Sequence, residues 1–515
     1  MIFCIMEMKH KIKWMVTFVL VLLGTQMVLS QENPNIILIY ADDIGYGDIG
    51  CYGGEAIPTP NIDKLAEEGM RFTAGYATAS TCTPSRYSIL TGQYPFRNYR
   101  AKQEKVLPGN APLIIDPAQP TLPAMLKDVG YTTGLVGKWH LGLGSPKNPL
   151  DWNTFITPGP NEVGFDYSYH MAATNDRVPS VYIENGYIEN LDSNDPVQVS
   201  YKNPIGNDPT GLSHPELLKT QTNRQHSGTI VNGVGRIGWM SGGKSARWKD
   251  ENMGDIYLNK VVSFIEKNKK KPFFLFYASH ENHVPRIPHP RFKGATSLGV
   301  RGDVVVQLDW NVGQIVKSLK ENGLYENTII VFTSDNGPAV YDGYYDGAYE
   351  KNGDHQPTGP YRGGKYSAWE GGCRVPFIVS GPNNIQKGVS DAIVSQADLL
   401  ASFAELTGGK ISDDFETDSQ NLIYLLTGKS NKGREHVVLQ GVGIKSIRKG
   451  AWKYIPPGKV RSKGSIDEII FDHIGNEGAL FFLPEDPSET NNLASKYPQK
   501  AKELSLLLKA ELSKK

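Results

Sequence analysis

From Ile36 to Tyr40, apolar and aromatic residues follow one another without a polar break. A strand with one wet face alternates; this run does not, so it suits a strand buried on both faces. The run ends at Ala41-Asp42-Asp43 and then turns through glycines. Comparable apolar segments recur at 133–136, 272–277 and 328–333. Between the last two, Val305, Leu308, Val312, Ile315 and Leu319 repeat at helical spacing, and Gly323 closes the pattern. A shorter helix is expected from Pro60 to Glu68, with Pro as its start signal and Gly69 as its stop. Strands alternating with helices imply an α/β fold with a large, mixed but mostly parallel sheet sandwiched by helices.

The strand ends carry unusual chemistry. One ends in Asp42-Asp43, one leads to Lys138-Trp139-His140, one to His280 and His283, and one to Asp335-Asn336. In open α/β sheets, sites form beyond the carboxyl ends of the strands, so these groups are expected to converge. Residues 145–250 are rich in Pro, Gly, Asn and Tyr and read as long loops over the site. After about residue 410 the texture changes to short strands at 436–439 and 451–454 and a last helix from Pro498. The expected organisation is a leader over 1–30, a catalytic α/β domain over 31–410 and a smaller α+β subdomain over 411–515.

The leader reading rests on Lys9, Lys11 and Lys13, the apolar run Trp14–Leu23, and Val28-Leu29-Ser30 before a cleavage site. The apolar run is short for a membrane span, which points to an exported periplasmic or extracellular protein with no stable span after processing. Lys+Arg and Asp+Glu number 54 each. That balance argues against broad attraction to nucleic acid or anionic membrane. Of four cysteines, Cys4 falls in the leader, leaving Cys51, Cys82 and Cys373. Three is too few for a disulfide scaffold, and whether Cys51 and Cys373 meet is left open.

Cys82-Thr83-Pro84-Ser85-Arg86, followed by Leu90-Thr91-Gly92, is the most specific segment. It resembles the signature of the formylglycine-dependent sulfatases, of the alkaline phosphatase superfamily. Asp42-Asp43, Gly137-Lys138-Trp139-His140, His283-Val284-Pro285, Ser334-Asp335-Asn336-Gly337, Gly364-Lys365 and Glu370-Gly371-Gly372 follow the family's order. Asp486-Pro487-Ser488-Glu489 resembles its C-terminal signature. The resemblance implies an alkaline phosphatase-like fold and a cysteine, Cys82, oxidised to formylglycine by a maturation enzyme. It also implies metal ligation by Asp42, Asp43, residue 82, Asp335 and Asn336. The catalytic set it implies is Cys82, Arg86, Lys138, His140, His283 and Lys365.

Chemistry supports these assignments. Asp42, Asp43, Asp335 and Asn336 offer only oxygen, which suits calcium and, less well, magnesium; read alone, they could equally be surface turns. Pro84 fits the first turn of a helix to about Leu90, placing residue 82 at an N-terminus that favours an anion. Arg86 then lies one turn away. Lys138 and Lys365 suit charge on a transferred sulfuryl group. His140 resembles the group that helps deprotonate the formylglycine hydrate, and His283 the one that protonates the leaving alcohol. His280 fits substrate contact or a structural bond equally well. In Tyr169–Arg177, His170, Asn175 and Arg177 are candidates for sugar contact, and Trp239 and Trp248 for stacking.

The expected activity is hydrolysis of sulfate monoesters, with a sulfated carbohydrate as the substrate partner. Two rivals stand beside it. One is a phosphate or phosphonate ester hydrolase of the same superfamily. The other is a catalytically silent glycan-binding protein, which loss of Cys82, His140 or a metal ligand would signal; none is lost.

Overall fold

A computed structural model of the protein describes residues 33–98, 106–147, 150–462 and 470–514. The leader expected over 1–30 lies outside the described residues. No helix among them is long and apolar enough to cross a membrane.

The unbroken apolar run forms the strand Asn35–Ala41, buried at every residue. It lies inside a ten-stranded sheet, parallel to Phe273–Ala278 on one side and Thr328–Ser334 on the other. Thr132–Lys138 and Tyr167–Met171 extend the parallel block. Phe377–Ser380 runs antiparallel on the far side of Thr328–Ser334, which makes the sheet mixed. The two-faced burial has a direct cause. Ile36, Leu38 and Tyr40 enter one apolar core, while Ile37, Ile39 and Ala41 enter the other. Each isoleucine or leucine so buried stabilises the fold by about 1.5–3 kcal/mol.

Helices Val300–Glu321, Met253–Asn268 and Pro60–Glu68 supply one core, through Val305, Leu308, Val312, Ile315, Tyr257, Val261, Ile62 and Leu65. Helices Cys82–Thr91, Leu122–Asp128 and Leu399–Thr407 supply the other. The Pro60–Glu68 helix has the predicted ends, with Gly69 as its cap.

Register decides where the chemistry goes. Ala41 lies opposite Ser334, and Ala278 opposite Tyr40 and Gly137. The residues that follow these strands therefore leave the sheet at one edge. Gly137 has φ +116°, and a Cβ there would stand 1.9 Å from the Ala278 carbonyl oxygen. Glycine is what lets the two strands stay paired as far as Gly137 and Ala278.

Part of the expected loop region belongs to the main sheet, through Tyr167–Met171; its other strands among the described residues are two or three residues long, among them Gln198–Ser200 and Trp239–Ser241. Beyond it, His436–Gly441, Ile444–Lys449, Trp452–Ile455 and Ala479–Phe482 form a separate antiparallel sheet. Helix Pro498–Ser513 packs on it through Leu504 and Leu508. Buried Lys453 stands 3.2 Å from Glu370 and 2.8 Å from Glu489, tying this sheet to the Glu370–Cys373 helix of the main body. Cys51, Cys82 and Cys373 are all unpaired.

A second buried ion pair holds the first turn after the Asn35–Ala41 strand. Arg301, 1% exposed, donates Nη1 and Nη2 to the two oxygens of Asp48 at 2.8 and 2.7 Å. Arg301→Met leaves the buried Asp48 carboxylate with only His355 and the Gly45 N–H as partners and is expected to cost about 3–5 kcal/mol. Urea unfolding of the variant measures this; a midpoint equal to wild type contradicts it.

Candidate active site

The ten-residue helix Cys82–Thr91 is buried along its whole length, and Cys82 has no exposed surface. Thr81 enters it in extended backbone, and the Ser85 hydroxyl donates to the Ala79 carbonyl at 2.8 Å, fixing the entry. Burial pushes the Cys82 thiol above its ordinary range, while Lys138 and Lys365 pull it down and Asp335 and Asp42 push it up. Cys82 thus sits within electrostatic reach of four of the residues singled out in the sequence.

Arg86, one turn on, donates Nε and Nη2 to Asp335 Oδ2 at 3.1 and 2.8 Å and Nη1 to the Lys138 carbonyl at 3.1 Å. Lys138 Nζ lies 2.6 Å from Asp42 Oδ2. Lys365 Nζ lies 2.8 Å from Asp43 Oδ2. Asn336 Nδ2 donates to Asp43 Oδ1 at 2.7 Å, and the Asp43 N–H donates to Asp335 Oδ1 at 3.2 Å. All these side chains are almost wholly buried. The loop after Phe273–Ala278 is clipped to the same point: the Asp42 N–H donates to the Glu281 carbonyl, and the Asn282 N–H to the Asp42 carbonyl. Asp43 and His140 both take left-handed backbone, φ +57° in each case. Non-glycine residues in that region cost about 1–3 kcal/mol and cluster at working sites.

Asp42 and Asp335 respond differently to the same burial. Burial and the nearby Asp335 carboxylate raise Asp42 well above the usual range against the pull of Lys138. Burial also acts to raise Asp335, but Arg86, Lys138 and Lys365 outweigh it and hold the carboxyl low.

Two buried oxygens here, Asp42 Oδ1 and Asn336 Oδ1, have no hydrogen-bond partner. A buried acceptor without a donor is costly, and a hard cation removes the cost. Ligand atoms of Asp42, Asp43 and His283 also lie within 4.8 Å of one another. Oxygens dominate this donor set, so the residues present fit a calcium-like ion.

The histidines have defined faces. His140 Nε2 lies 2.9 Å from the Leu107 carbonyl, which can only accept, so Nε2 carries the proton and Nδ1 is a buried lone pair without a partner. His283 Nδ1 donates to the Val284 carbonyl at 2.6 Å, which leaves Nε2 as its lone pair. Burial, with Lys138 beside His140 and Lys365 beside His283, holds both pKa values well below 6.5.

The outer candidates divide. Arg177 pairs with Asp176 at 2.7 Å and acts electrostatically on Cys82 and His140, so it borders the site. Asn175 donates to the His283 and Pro285 carbonyls at 3.4 and 3.2 Å and holds that turn. His280 lies edge-on to Tyr257, with Nδ1 3.4 Å from Glu281. His170 is packed against Trp139 inside the sheet, and burial lowers its pKa to about 4. Trp248 is buried against Tyr182 and Arg236, so it offers no open stacking face. Four border residues escaped the sequence reading. Asp342 bonds Lys365 at 3.1 Å and the Tyr366 hydroxyl at 2.8 Å; His226 lies 3.3 Å from Asp176. Tyr366 and Asp176 adjoin residues already singled out, whereas Asp342 and His226 belong to loops with no motif.

The sulfatase family model matches residues 34–409. N-acetylgalactosamine-6-O-sulfatase of Bacteroides thetaiotaomicron is 48% identical over 484 residues, 93% of either chain. A structure solved in work on glycosaminoglycan metabolism by Bacteroides thetaiotaomicron is also 48% identical. It covers 94% of this chain and 100% of its own, with a TM-score of 0.90. Phosphonate monoester hydrolase of Agrobacterium radiobacter shares the fold at 18% identity and TM-score 0.56, covering 93% and 96% of the two chains.

The histidine environments make a direct prediction. Their depressed native pKa values mean that the unfolded chain takes up these protons first, so stability is present above pH 6.5 and declines as pH falls below it. In histidine-labelled protein followed by NMR, the His140 and His283 resonances should remain those of neutral imidazole through pH 6.5. A midpoint at 6.5 or above in either contradicts the described environment.

Proposed function

Since the chain belongs to the sulfatase family and is a sulfuric ester hydrolase, we propose that its substrate is an O-sulfated carbohydrate. The observation that carries this reading is the 48% identity, along nearly the whole chain, to an enzyme named for N-acetylgalactosamine 6-O-sulfate. The same reading takes Cys82 as formylglycine, made by a separate maturation enzyme, and export of the chain through its leader.

The charge balance supports an anionic substrate. Asp42, Asp43 and Asp335 face Arg86, Lys138 and Lys365. With Asp342, which also bonds Lys365, four carboxylates face these three cations, so a divalent cation is what would make the pocket attractive to a sulfate monoester. Asp42, Asp43, Asp335 and Asn336 are the residues that hold calcium, together with residue 82; when bound, the ion supplies positive charge at the reacting group. Formylglycine supplies, as its hydrate, the nucleophile and its own route of release.

The remaining work falls to this chain's side chains. Lys138 and Lys365 bind the sulfate oxygens and stabilise charge as it moves. Arg86 fixes Asp335 and the Lys138 backbone. His140 takes a proton at Nδ1, the nitrogen left open by the Leu107 bond. His283 presents Nε2 to the ester oxygen. Being neutral at rest, it must acquire during turnover the proton it gives the leaving alcohol. Arg177, with Asp176 and His226 behind it, and Asp342 border the sugar; Asn175 and His280 position the His283 turn, and His170 supports the strand beneath.

The test is turnover by the full-length, matured protein of N-acetylgalactosamine 6-sulfate against N-acetylgalactosamine 6-phosphate. The sulfate ester should be favoured in kcat/KM by at least about 100-fold, the scale of a site tuned to one transition state. Chelation should remove the activity, and Asp335→Ala should lose bound calcium and turnover together. A phosphate ester turned over as fast as the sulfate would favour the phosphoryl-transfer rival. Sugar binding without turnover would favour the silent binding protein.

A further inference from the structure

Away from the active site, a cavity of about 510 Å³ opens between the main body and the small antiparallel sheet. Arg374, Arg434 and Arg448 line it, with Ile393 and Leu483 as apolar wall and Asp391 at an exposed edge. Neither the metal-ligand candidates nor the catalytic residues discussed above belong to the lining.

The three arginines are not equivalent. Arg434 is spent: Nε and Nη2 bind Asp398 and Nη1 reaches the Tyr94 hydroxyl. Arg374 uses Nε on the Thr73 carbonyl and Nη1 on Glu370, at 2.8 and 3.2 Å, with its guanidinium stacked on Tyr361. Arg448 uses Nε on the Gly450 carbonyl and Nη1 on the Tyr76 hydroxyl. In both, Nη2 makes no hydrogen bond among the described residues, and both residues line the cavity. Both guanidinium groups are rigidly held, so little side-chain entropy is lost when Nη2 binds a ligand.

Charge points the same way. Arg374, Arg448 and Lys453 share two carboxylates, Glu370 and Glu489. Three cations against two anions leave one positive charge over at the buried end of the cavity, while Asp391 carries the opposing charge at its exposed edge. Burial also pushes the Glu489 carboxyl up, against the pull of Lys453.

We propose that this cavity is a second binding site, taking an anionic sugar unit whose sulfate or carboxylate meets Arg374 and Arg448. The volume falls within the range of small-ligand sites and exceeds what a bare ion needs. Ile393 and Leu483 suit the apolar face of a pyranose ring, and Asp391 accepts from its hydroxyls. The preference for an anion follows from the arginines alone; the choice of a sugar rests on the carbohydrate reading of the active site.

Calorimetry on the full-length, calcium-loaded protein with Cys82→Ala as background tests this, because that change stops turnover of the probe. N-acetylgalactosamine 6-sulfate should fill two sites per chain, and unsulfated N-acetylgalactosamine should leave the second empty. Ala451→Trp, which fills the cavity from its wall, should reduce the stoichiometry to one. Arg448→Gln should weaken the second site at least tenfold. With Cys82 intact, Ala451→Trp should hydrolyse the monosaccharide sulfate as wild type does, which separates failure here from failure of the active-site reading. One site per chain that survives Ala451→Trp, or two sites indifferent to it, overturns the proposal. Sodium sulfate bound as tightly as the sugar sulfate overturns the sugar assignment.

Discussion

Asp42, Asp43 and Asp335 are buried together, and nothing in an apolar interior would tolerate three carboxylates unless cations were held against them. Arg86, Lys138 and Lys365 do this at 2.6 to 2.8 Å, each reaching a different carboxylate. The exchange is mutual: each lysine and arginine is just as buried and would be costly without its acid. The cluster therefore forms as a unit. It also leaves Asp42 Oδ1 and Asn336 Oδ1 without donors, so the protein's own polar groups leave room for a cation.

The sheet is what delivers these residues to one place. Because Asn35–Ala41, Phe273–Ala278 and Thr132–Lys138 are parallel and end in register, their following residues emerge together although the first two of these strands lie more than two hundred positions apart in sequence. Helix Cys82–Thr91 then brings its first residue to that edge and its fifth, Arg86, to Asp335. Rigidity follows from the two cores packed on the strand faces. The left-handed backbone at Asp43 and His140 is held by that surrounding structure, so the site is preorganised before substrate arrives.

Much of this was legible from residues alone, for physical reasons. Burial on both faces leaves an unmistakable run at Ile36–Tyr40. Helix signals at Pro60 and Gly69, and the position of residue 82 at a helix start, follow from local backbone chemistry. Other features depend on distant partners and leave no local mark. The strands at Gln198–Ser200 and Trp239–Ser241 are too short for a period to show. Asp342 matters because the fold brings it to Lys365, and His226 because it meets Asp176. His170 and Trp248 suggested ligand contact by residue type, yet His170 packs against Trp139 and Trp248 against Tyr182 and Arg236, and type alone does not reveal such partners. The Glu370–Lys453–Glu489 group joins three segments whose pairing no spacing reveals.

The central claim is that residue 82 acts as formylglycine inside this charge cluster. It is tested by mass spectrometry of the peptide spanning residue 82, from active protein made in its native host. The account predicts a mass about 18 Da below that of the cysteine peptide, the difference between a CH2SH and an aldehyde group. An unmodified cysteine in fully active protein would contradict it.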